Sequence, residues 1–547
     1  MFWVDEIIED ILIKIKKDSF LITDWTTPSG HSHIGALRGV MIHDCIRRGL
    51  EEKGLPAGKA GKTAVFQYGF DDFDPMDGLP VYVDQSWEKH MGKPLANVPA
   101  PDGKSSSFAA QYLKEFEGVF NGLGIDSEIV KTSELYKSGK FNETIKIVLD
   151  NAQEIRKIYK EVSGSDKGED WFPLQVVCPK CGKIGTTKVT DWNGKEVRFK
   201  CEENLVEWAK GCGYEGSTSP FDGNAKLPWK VEWACKWFVF GTDIEGEGKD
   251  HSAAGGSRDI ANHIYRKVFK KEPPYDVPYE FFLVGGKKMA SSKGLGVTAK
   301  DMAEFLPANI LRFLFVRSKA KRAIEFQPEG ETIPLLYDEY DRMAELYQKD
   351  AKNDLARSFY YATNNIEKEQ PKYYLRFSKI AYMLQMPRID IFEYAKKEKA
   401  SARLPARQEA KSAEAEGEVR SSDLSDIEKQ EIEGRIEIAK KWLEKFAPDS
   451  YKFAILDKMP DINLNADQKE FLKKISDIIK SKESWTGEEL HPKIHEIRKA
   501  MNIESREAFS AIYLSFIGKD SGPQAGWLLA SLDRGFVLKR LGEVSNA

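Results

Sequence analysis

Pro28-Ser29-Gly30-His31-Ser32-His33-Ile34-Gly35 puts two imidazoles and two glycines into one short turn. The turn lies where a strand pattern, Phe20-Leu21-Ile22-Thr23, hands over to a helix read from His33 to Arg48, so Gly30 and Gly35 would let a ligand approach the backbone. A helix N-terminus at that place favours a phosphate. Far downstream, Gly285-Gly286-Lys287-Lys288-Met289-Ala290-Ser291-Ser292-Lys293-Gly294 reads as a mobile, glycine-bounded loop whose lysines and hydroxyls suit closure over a triphosphate. Between the two, Gly248-Lys249-Asp250-His251-Ser252-Ala253-Ala254-Gly255-Gly256 leads polar side chains into a small-residue helix start suited to a ribose and adenine.

A second chemistry is metal binding. Cys178-Pro179-Lys180-Cys181 has the two-residue spacing of a zinc knuckle, and Cys201 and Cys212 supply two further thiolates. Four protein ligands leave no open coordination position, so one structural Zn²⁺ is expected, replacing a core that so short a segment cannot build. Cys45, in the first long helix, and Cys235, in an aromatic run, read as buried apolar residues.

The elements that must hold these groups alternate in type. Helical spacing over residues 4–17 precedes the first strand; Thr63-Ala64-Val65-Phe66-Gln67-Tyr68 forms a second strand after the Gly54 to Gly61 connection; helical patterns follow at 107–121 and 140–162. Strand, helix, strand in that order predicts a parallel sheet of βαβ units. Residues 172–220, with β-prone runs at 186–190 and 196–199, read as an inserted module. From about residue 301 onward, strand signals nearly vanish and helices are predicted at 301–319, 335–352, 374–387 and 426–446. The charged stretch 396–425 reads as a disordered or loosely helical linker.

At 547 residues the chain is too long for a single core. Its 82 basic and 86 acidic side chains give a net charge of −4, so a polyanionic partner must be met by local basic surfaces. Six cysteines are too few for a disulfide scaffold. Neither a run of about eighteen apolar residues nor a signal-peptide pattern at the acidic start is present, so no membrane association and a cytoplasmic location are expected.

The residues His33-Ile34-Gly35 and Lys288-Met289-Ala290-Ser291-Ser292-Lys293 resemble the two signatures of class I aminoacyl-tRNA synthetases, and the surrounding text resembles class I lysyl-tRNA synthetases in particular. The resemblance runs through Thr27 to Gly35, Phe70 to Pro75, the cysteine module, Trp229 to Gly256, Lys288 to Gly294, Tyr337 to Arg342 and Ser521 to Gly526. It departs at Ala36, where many class I members have histidine, at Ser291, where the second signature usually has an internal lysine, and at Trp25, where lysyl members more often have a small residue beside the ammonium site.

The resemblance implies an α/β fold: a Rossmann-type parallel-sheet catalytic domain with a small zinc-binding insert, then a mostly α-helical C-terminal anticodon-binding region. It implies boundaries at 1–171 and 221–300 for the two halves of the catalytic domain, the second carrying the KMSKS-like loop. It puts 172–220 as the insert, 301–395 as a helical stem-contact region, 396–425 as the linker and 426–547 as the anticodon-binding domain. The implied activity is ATP-dependent attachment of L-lysine to tRNA(Lys) through an adenylate, with Mg²⁺ accompanying ATP and the chain a monomer. A class I enzyme for another amino acid, or a non-catalytic tRNA-binding relative, is the alternative.

His33, Lys288 and Lys293 are the implied catalytic groups. Pro28, Gly30, Gly35, Asp250, Ser291 and Ser292 join them at ATP, and His31 either contacts ATP or only shapes the turn. The ammonium of lysine needs an anion and its methylenes an apolar wall. Asp24, Asp71, Asp72 and Asp74 are candidates for the first, Trp229 and Tyr279 for the second, with Thr27 and His251 also in the implied pocket. At the C-terminal end, Arg498, Lys499, Arg506, Lys539 and Arg540 offer phosphate contacts and Phe509, Tyr513 and Trp527 offer stacking surfaces for RNA.

Overall fold

The computed structural model describes residues 1–53, 63–288, 297–364, 366, 370–401 and 423–546. It divides into one unit of residues 1–326 with 350–364 and a second of 327–349 with 365–547.

The first unit is built on a five-stranded parallel sheet. Helix α1 (Trp3–Lys14) buries Val4, Ile8 and Ile11 at helical spacing and leads into β1 (Ser19–Thr26). His33 caps a short 3-10 turn, Ile34–Ala36, which runs into α2 (Leu37–Lys53); the helix read from His33 thus starts later, because the imidazole takes the capping position. After β2 (Thr63–Phe70) come α3 (Phe108–Leu123), β3 (Glu128–Lys131) and α4 (Thr132–Lys137). The helix expected over 140–162 is two, α5 (Asn142–Asp150) and α6 (Ala152–Ser163), broken at Asn151.

The insert contributes β4 (Gln175–Val176), β5 (Thr187–Trp192), β6 (Val197–Cys201), β7 (Glu215–Thr218) and β8 (Ala225–Lys226). Strands β5, β6 and β7 form an antiparallel sheet, and β4 pairs with β8. Then α7 (Trp229–Phe240), β9 (Ile244–Glu245), α8 (Ser257–Lys267) and β10 (Tyr275–Asp276) return the chain to the main sheet. Its order is β10-β9-β1-β2-β3, with Ile22 of β1 opposite both Phe66 of β2 and Ile244 of β9. Strands buried on both faces read as continuous apolar runs, which is why β1 and β2 are visible in the sequence. Two residues give no periodicity, and β9 and β10 are not.

A smaller sheet joins β11 (Phe282–Val284), β12 (Lys287–Lys288) and β13 (Ile324–Phe326). Gly285 and Gly286, at φ 55° and 72°, make the two-residue hairpin turn between β11 and β12 that only positive φ allows. The helix expected over 301–319 splits into Ala299–Phe305 and Ala308–Val316, because Pro307 has no N–H to continue the first.

Among the described residues of the second unit, the regular elements are helices, from Thr332–Lys349 to Arg534–Asn546. Reciprocal capping boxes start three helices, at Ser425 and Glu428, Asn465 and Gln468, and Thr486 and Glu489. The stretch read as a linker begins within a helix, Ile391–Ser401, where Lys399 is buried against Glu428 at 2.5 Å; residues 402–422 lie outside the described residues. Among the described residues, no helix is long and apolar enough to cross a membrane.

Candidate active site

In an open parallel sheet a ligand crevice forms beyond the carboxyl ends of the two neighbouring strands whose connections run in opposite directions. Here those strands are β1, which leads to β2 and β3 on one side, and β9, which leads to β10 on the other. A cleft of about 560 Å³ opens at that place, lined from β1 by Asp24 to Thr27 and from β9 by Glu245 to Gly248. The volume falls within the range of small-molecule sites.

His33 faces this cleft with Gly35 and Ala36. Its Nδ1 accepts the Ala36 N–H at 3.1 Å, which leaves the proton of the neutral ring on Nε2. The chain that re-enters the described residues at Val297 is pinned to the same turn: Ile34 N–H donates to Val297 O at 3.0 Å and Ala299 N–H to Ser32 O at 2.8 Å. Lys288 ends strand β12 on the other side of that loop, while Ser291, Ser292 and Lys293 lie outside the described residues.

His31, Pro28 and Gly30 are not brought to the cleft wall. The His31 ring is taken by Glu115 at 2.8 Å and packs edge-on against Tyr112, and the His31 backbone N–H donates to the Tyr82 hydroxyl at 2.7 Å. Of the two roles open to His31, this geometry serves shaping the turn.

Asp250, His251, Trp229 and Tyr279 line the same cleft. Trp229 begins α7, is 44% exposed and meets the His251 ring edge at 5.5 Å, leaving a flat apolar face on the cleft. Tyr279 is deeper, and burial pushes its phenol well above the usual range. It reaches over Gly39, where a Cβ would come within 2.5 Å of the Tyr279 hydroxyl and 2.7 Å of Asp24 Oδ2, so only glycine fits there. Asp24 accepts from His43 Nδ1 at 3.2 Å, and His43 Nε2 accepts the Gly246 N–H at 2.8 Å, which fixes the tautomer of that buried ring.

The acidic run after β2 splits between two environments. Asp71 and Asp74 face the cleft. Asp72 does not: its oxygens accept Ser133 N–H at 2.7 Å, Ser133 Oγ–H at 2.6 Å and Thr132 Oγ–H at 3.2 Å, so it caps α4. Asp71 binds Lys236 Nζ at 2.5 Å; Asp74 binds Lys226 Nζ at 2.9 Å and accepts the Thr27 hydroxyl at 2.7 Å. Burial pushes the Asp71 carboxyl up to about 7 against the pull of Lys236, with the Asp74 charge adding to the rise. Burial works the same way on Asp74, but Lys226 and the Thr27 hydroxyl hold it below the usual range.

Three acidic groups on the wall were not singled out from the sequence. Glu245 is buried and accepts from Thr23 Oγ1 and Trp233 Nε1, each at 3.0 Å, and from Trp237 Nε1 at 2.5 Å; burial raises its pKa. Glu247 sits between Arg258 at 3.1 Å and Ser252 at 2.5 Å, and burial pushes it up to about 8. Asp77 is raised by burial and by Asp74. Glycine-flanked acids in Ile244-Glu245-Gly246-Glu247-Gly248 are the signal that marks the first two.

Trp25 is half-buried and forms part of the cleft wall. Its ring lies flat over Gly69, where a Cβ would come within 1.9 Å of it, and the Lys236 ammonium sits 3.9 Å from its centroid.

In the insert, the Sγ atoms of Cys178, Cys181, Cys201 and Cys212 all lie within 4.8 Å of one another. Cys178 and Cys212 are 3.6 Å apart, Cys181 and Cys201 3.8 Å. Four thiolates about 2.3 Å from one ion at tetrahedral angles would be about 3.8 Å apart. A disulfide needs about 2.05 Å. The cluster is therefore able to chelate a metal ion. The Cys212 N–H donates to Cys201 Sγ at 3.3 Å, and Thr186 Oγ1 lies 3.2 Å from the same sulfur. Cys45 and Cys235 are buried elsewhere in the core.

Of the residues read as RNA contacts, Arg540 is buried and donates to the carbonyls of Ser515, Leu456 and Asp457, and Tyr513 donates to Pro523 O, so both are internal. Trp527 packs against Tyr394 at 4.3 Å and Phe509 against His495 at 4.8 Å. Arg498 donates to Ile503 O; Lys499, Arg506 and Lys539 are exposed.

A model of class I (K) tRNA synthetases matches residues 1–367, and one of an anticodon binding domain matches 419–544. The lysine–tRNA ligase of Methanosarcina barkeri strain Fusaro is 33% identical over 100% of this chain and 98% of its own length. Lysine–tRNA ligase 1 of Methanosarcina acetivorans is 34% identical with the same coverage, and the Archaeoglobus fulgidus lysine–tRNA ligase is 31% identical over 99% of each chain.

Proposed function

The chain belongs to the class I lysyl-tRNA synthetases, ATP-dependent lysine–tRNA ligases, and on that premise we propose how its cleft divides the work. The observation that carries the proposal is that His33 and a set of carboxylates line one cleft at the switch point of the sheet. Lysine's carboxylate attacks the α-phosphorus of ATP, the bond to the bridging oxygen breaks and pyrophosphate leaves. The ribose hydroxyl at the tRNA 3′ end then attacks the adenylate's carbonyl carbon and expels AMP. A carboxylate is ionised at neutral pH, so the first step needs alignment and stabilisation of charge on phosphate oxygens more than a strong base.

His33, through Nε2–H, donates to a phosphate oxygen, with Lys288 and Lys293 at the β and γ phosphates and Gly35 letting the nucleotide approach. Asp250 takes the ribose side, and Ser291 and Ser292 complete the loop's donors. Mg²⁺ arriving with ATP would neutralise part of the triphosphate charge. Trp229, His251 and Tyr279 form the walls for lysine's methylenes, Thr27 and Asp24 lie at its polar end, and Asp71 receives the ε-ammonium. The four thiolates hold one structural Zn²⁺, the second unit reads the anticodon, and the enzyme works as a cytoplasmic monomer.

The adjacent aspartates test this division. Asp71→Asn is expected to raise the KM for lysine at least about thirtyfold, the scale of roughly 2 kcal/mol lost with one partner of a buried charge pair. Asp72→Asn is expected to cost about 1–3 kcal/mol of stability in urea, through the α4 cap, with the KM for lysine unmoved. Equal effects of the two on the KM would remove the assignment.

A further inference from the structure

The amino-acid pocket rests on a buried chain of charges whose inner members, Lys236, Glu232 and Lys226, no step of the reaction uses. Asp71 is held by Lys236 at 2.5 Å, Lys236 by Glu232 at 3.4 Å, Glu232 by Lys226 at 2.8 Å, and Lys226 by Asp74 at 2.9 Å. The groups come from three places: the turn after β2, helix α7, and β8, the last strand of the insert. Lys226 and Glu232 are 1% exposed at their side chains and Lys236 5%. The Tyr136 hydroxyl on α4 donates to Glu232 at 2.6 Å and so closes the far end. Three carboxylates and two ammoniums leave one negative charge in excess, and the chain reaches the cleft at Asp71 and Asp74.

A buried excess charge is costly and draws in a counter-charge. We propose that Lys226, Glu232 and Lys236 are positioning residues that set the charge selectivity of this pocket: together they leave at Asp71 one unbalanced negative charge, the complement of a single substrate ammonium. The inference rests on the functional reading above and adds to it the groups, behind the wall, that tune the wall.

The alternative counter-charge is a proton, and the raised Asp71 carboxyl, at about 7, says that the empty pocket takes one near neutrality. The groups around Asp71 are Lys236 and Glu232 from α7, Lys226 from β8, Asp74 from its own turn and the Tyr68 phenol of β2, while β1 brings Asp24, engaged by His43. The sign follows. Below the Asp71 pKa the carboxyl is neutral and the ammonium loses its partner, so lysine affinity rises as pH climbs towards about 7 and levels off above it.

Calorimetric titration of the full-length protein with lysine from pH 6 to 8.5 tests this, with ATP titrated as control. In the unaltered protein, lysine affinity should climb about tenfold per pH unit below its break. Lys236→Met removes a positive charge beside Asp71, so the break should move up by about one unit or more and affinity at pH 7 fall about tenfold. Glu232→Gln removes the excess, so affinity should fall about tenfold at pH 8.5 and the break move down. ATP affinity should stay within about twofold in both, since no phosphate contact is touched. A merely structural role would not drive the two breaks in opposite directions. Breaks that stay put, or move together, overturn the inference while leaving the functional reading intact; no lysine binding by the unaltered protein overturns both. Should Lys236→Met not fold, the direction of the Glu232→Gln shift decides alone.

Discussion

Lys293→Ala is expected to slow lysyl-adenylate formation about 100- to 1000-fold in a single turnover, the scale of removing one charge-stabilising donor, while lysine affinity stays within about twofold. The asymmetry follows from where charge builds. As the α-phosphorus is attacked, negative charge grows on the departing pyrophosphate, far from the lysine side chain, so a cation there stabilises the transition state more than the bound substrates. Lys293 itself lies outside the described residues, but the chain re-enters them at Val297, whose carbonyl accepts the Ile34 N–H next to His33. With Ser291 where the family's signature usually has lysine, Lys293 has one neighbour fewer to replace it. Single-turnover ATP consumption at an undiminished rate would remove the assignment.

Cys181→Ser is expected to strip the protein of its metal. Unaltered protein should carry about one equivalent of zinc per chain by elemental analysis, and the variant well under one, because loss of a ligand costs more than the about 10- to 100-fold lost with an outer-shell partner. Protease should then cut within residues 172–220, at the loops carrying the cysteines, since these lose the ion that ties them together. Cys45→Ser and Cys235→Ser are the controls, with metal content unchanged. Equal zinc in Cys181→Ser and the unaltered protein would rule out the four-thiolate site.

What the sequence made legible was what local spacing encodes. The Cys178 and Cys181 pair announced a thiol cluster able to hold a metal, the apolar runs of β1 and β2 a parallel sheet, and the glycine-bounded histidine turn a strand-to-helix junction that lines the cleft. What it hid depends on direction. Asp71 and Asp72 are chemically identical neighbours, and only the turn after β2 decides that one faces the cleft and the other caps α4. His31 and His33 are two residues apart, yet Glu115, from another helix, takes the first.

The charged chain behind the pocket was hidden for another reason. Lysines default to the surface, and Lys226 and Lys236 carry no motif. A signal was nevertheless present: Glu232 and Lys236 stand four apart in a helix whose other residues, Lys230 in the first turn apart, are all apolar. A lone opposite-charge pair on so apolar a helix has to be buried with partners of its own. In the second unit, Arg540 and Tyr513 show the converse, since residue types suited to RNA are used to close carbonyls and fill the core.

Activation of lysine with ATP in this cleft is measured by pyrophosphate exchange into ATP across all the standard amino acids, with and without tRNA. Lysine-dependent exchange is expected in at least one of the two conditions, with no other amino acid matching it. Absence of a lysine-dependent signal in both conditions, or stronger exchange with a different amino acid, would contradict it.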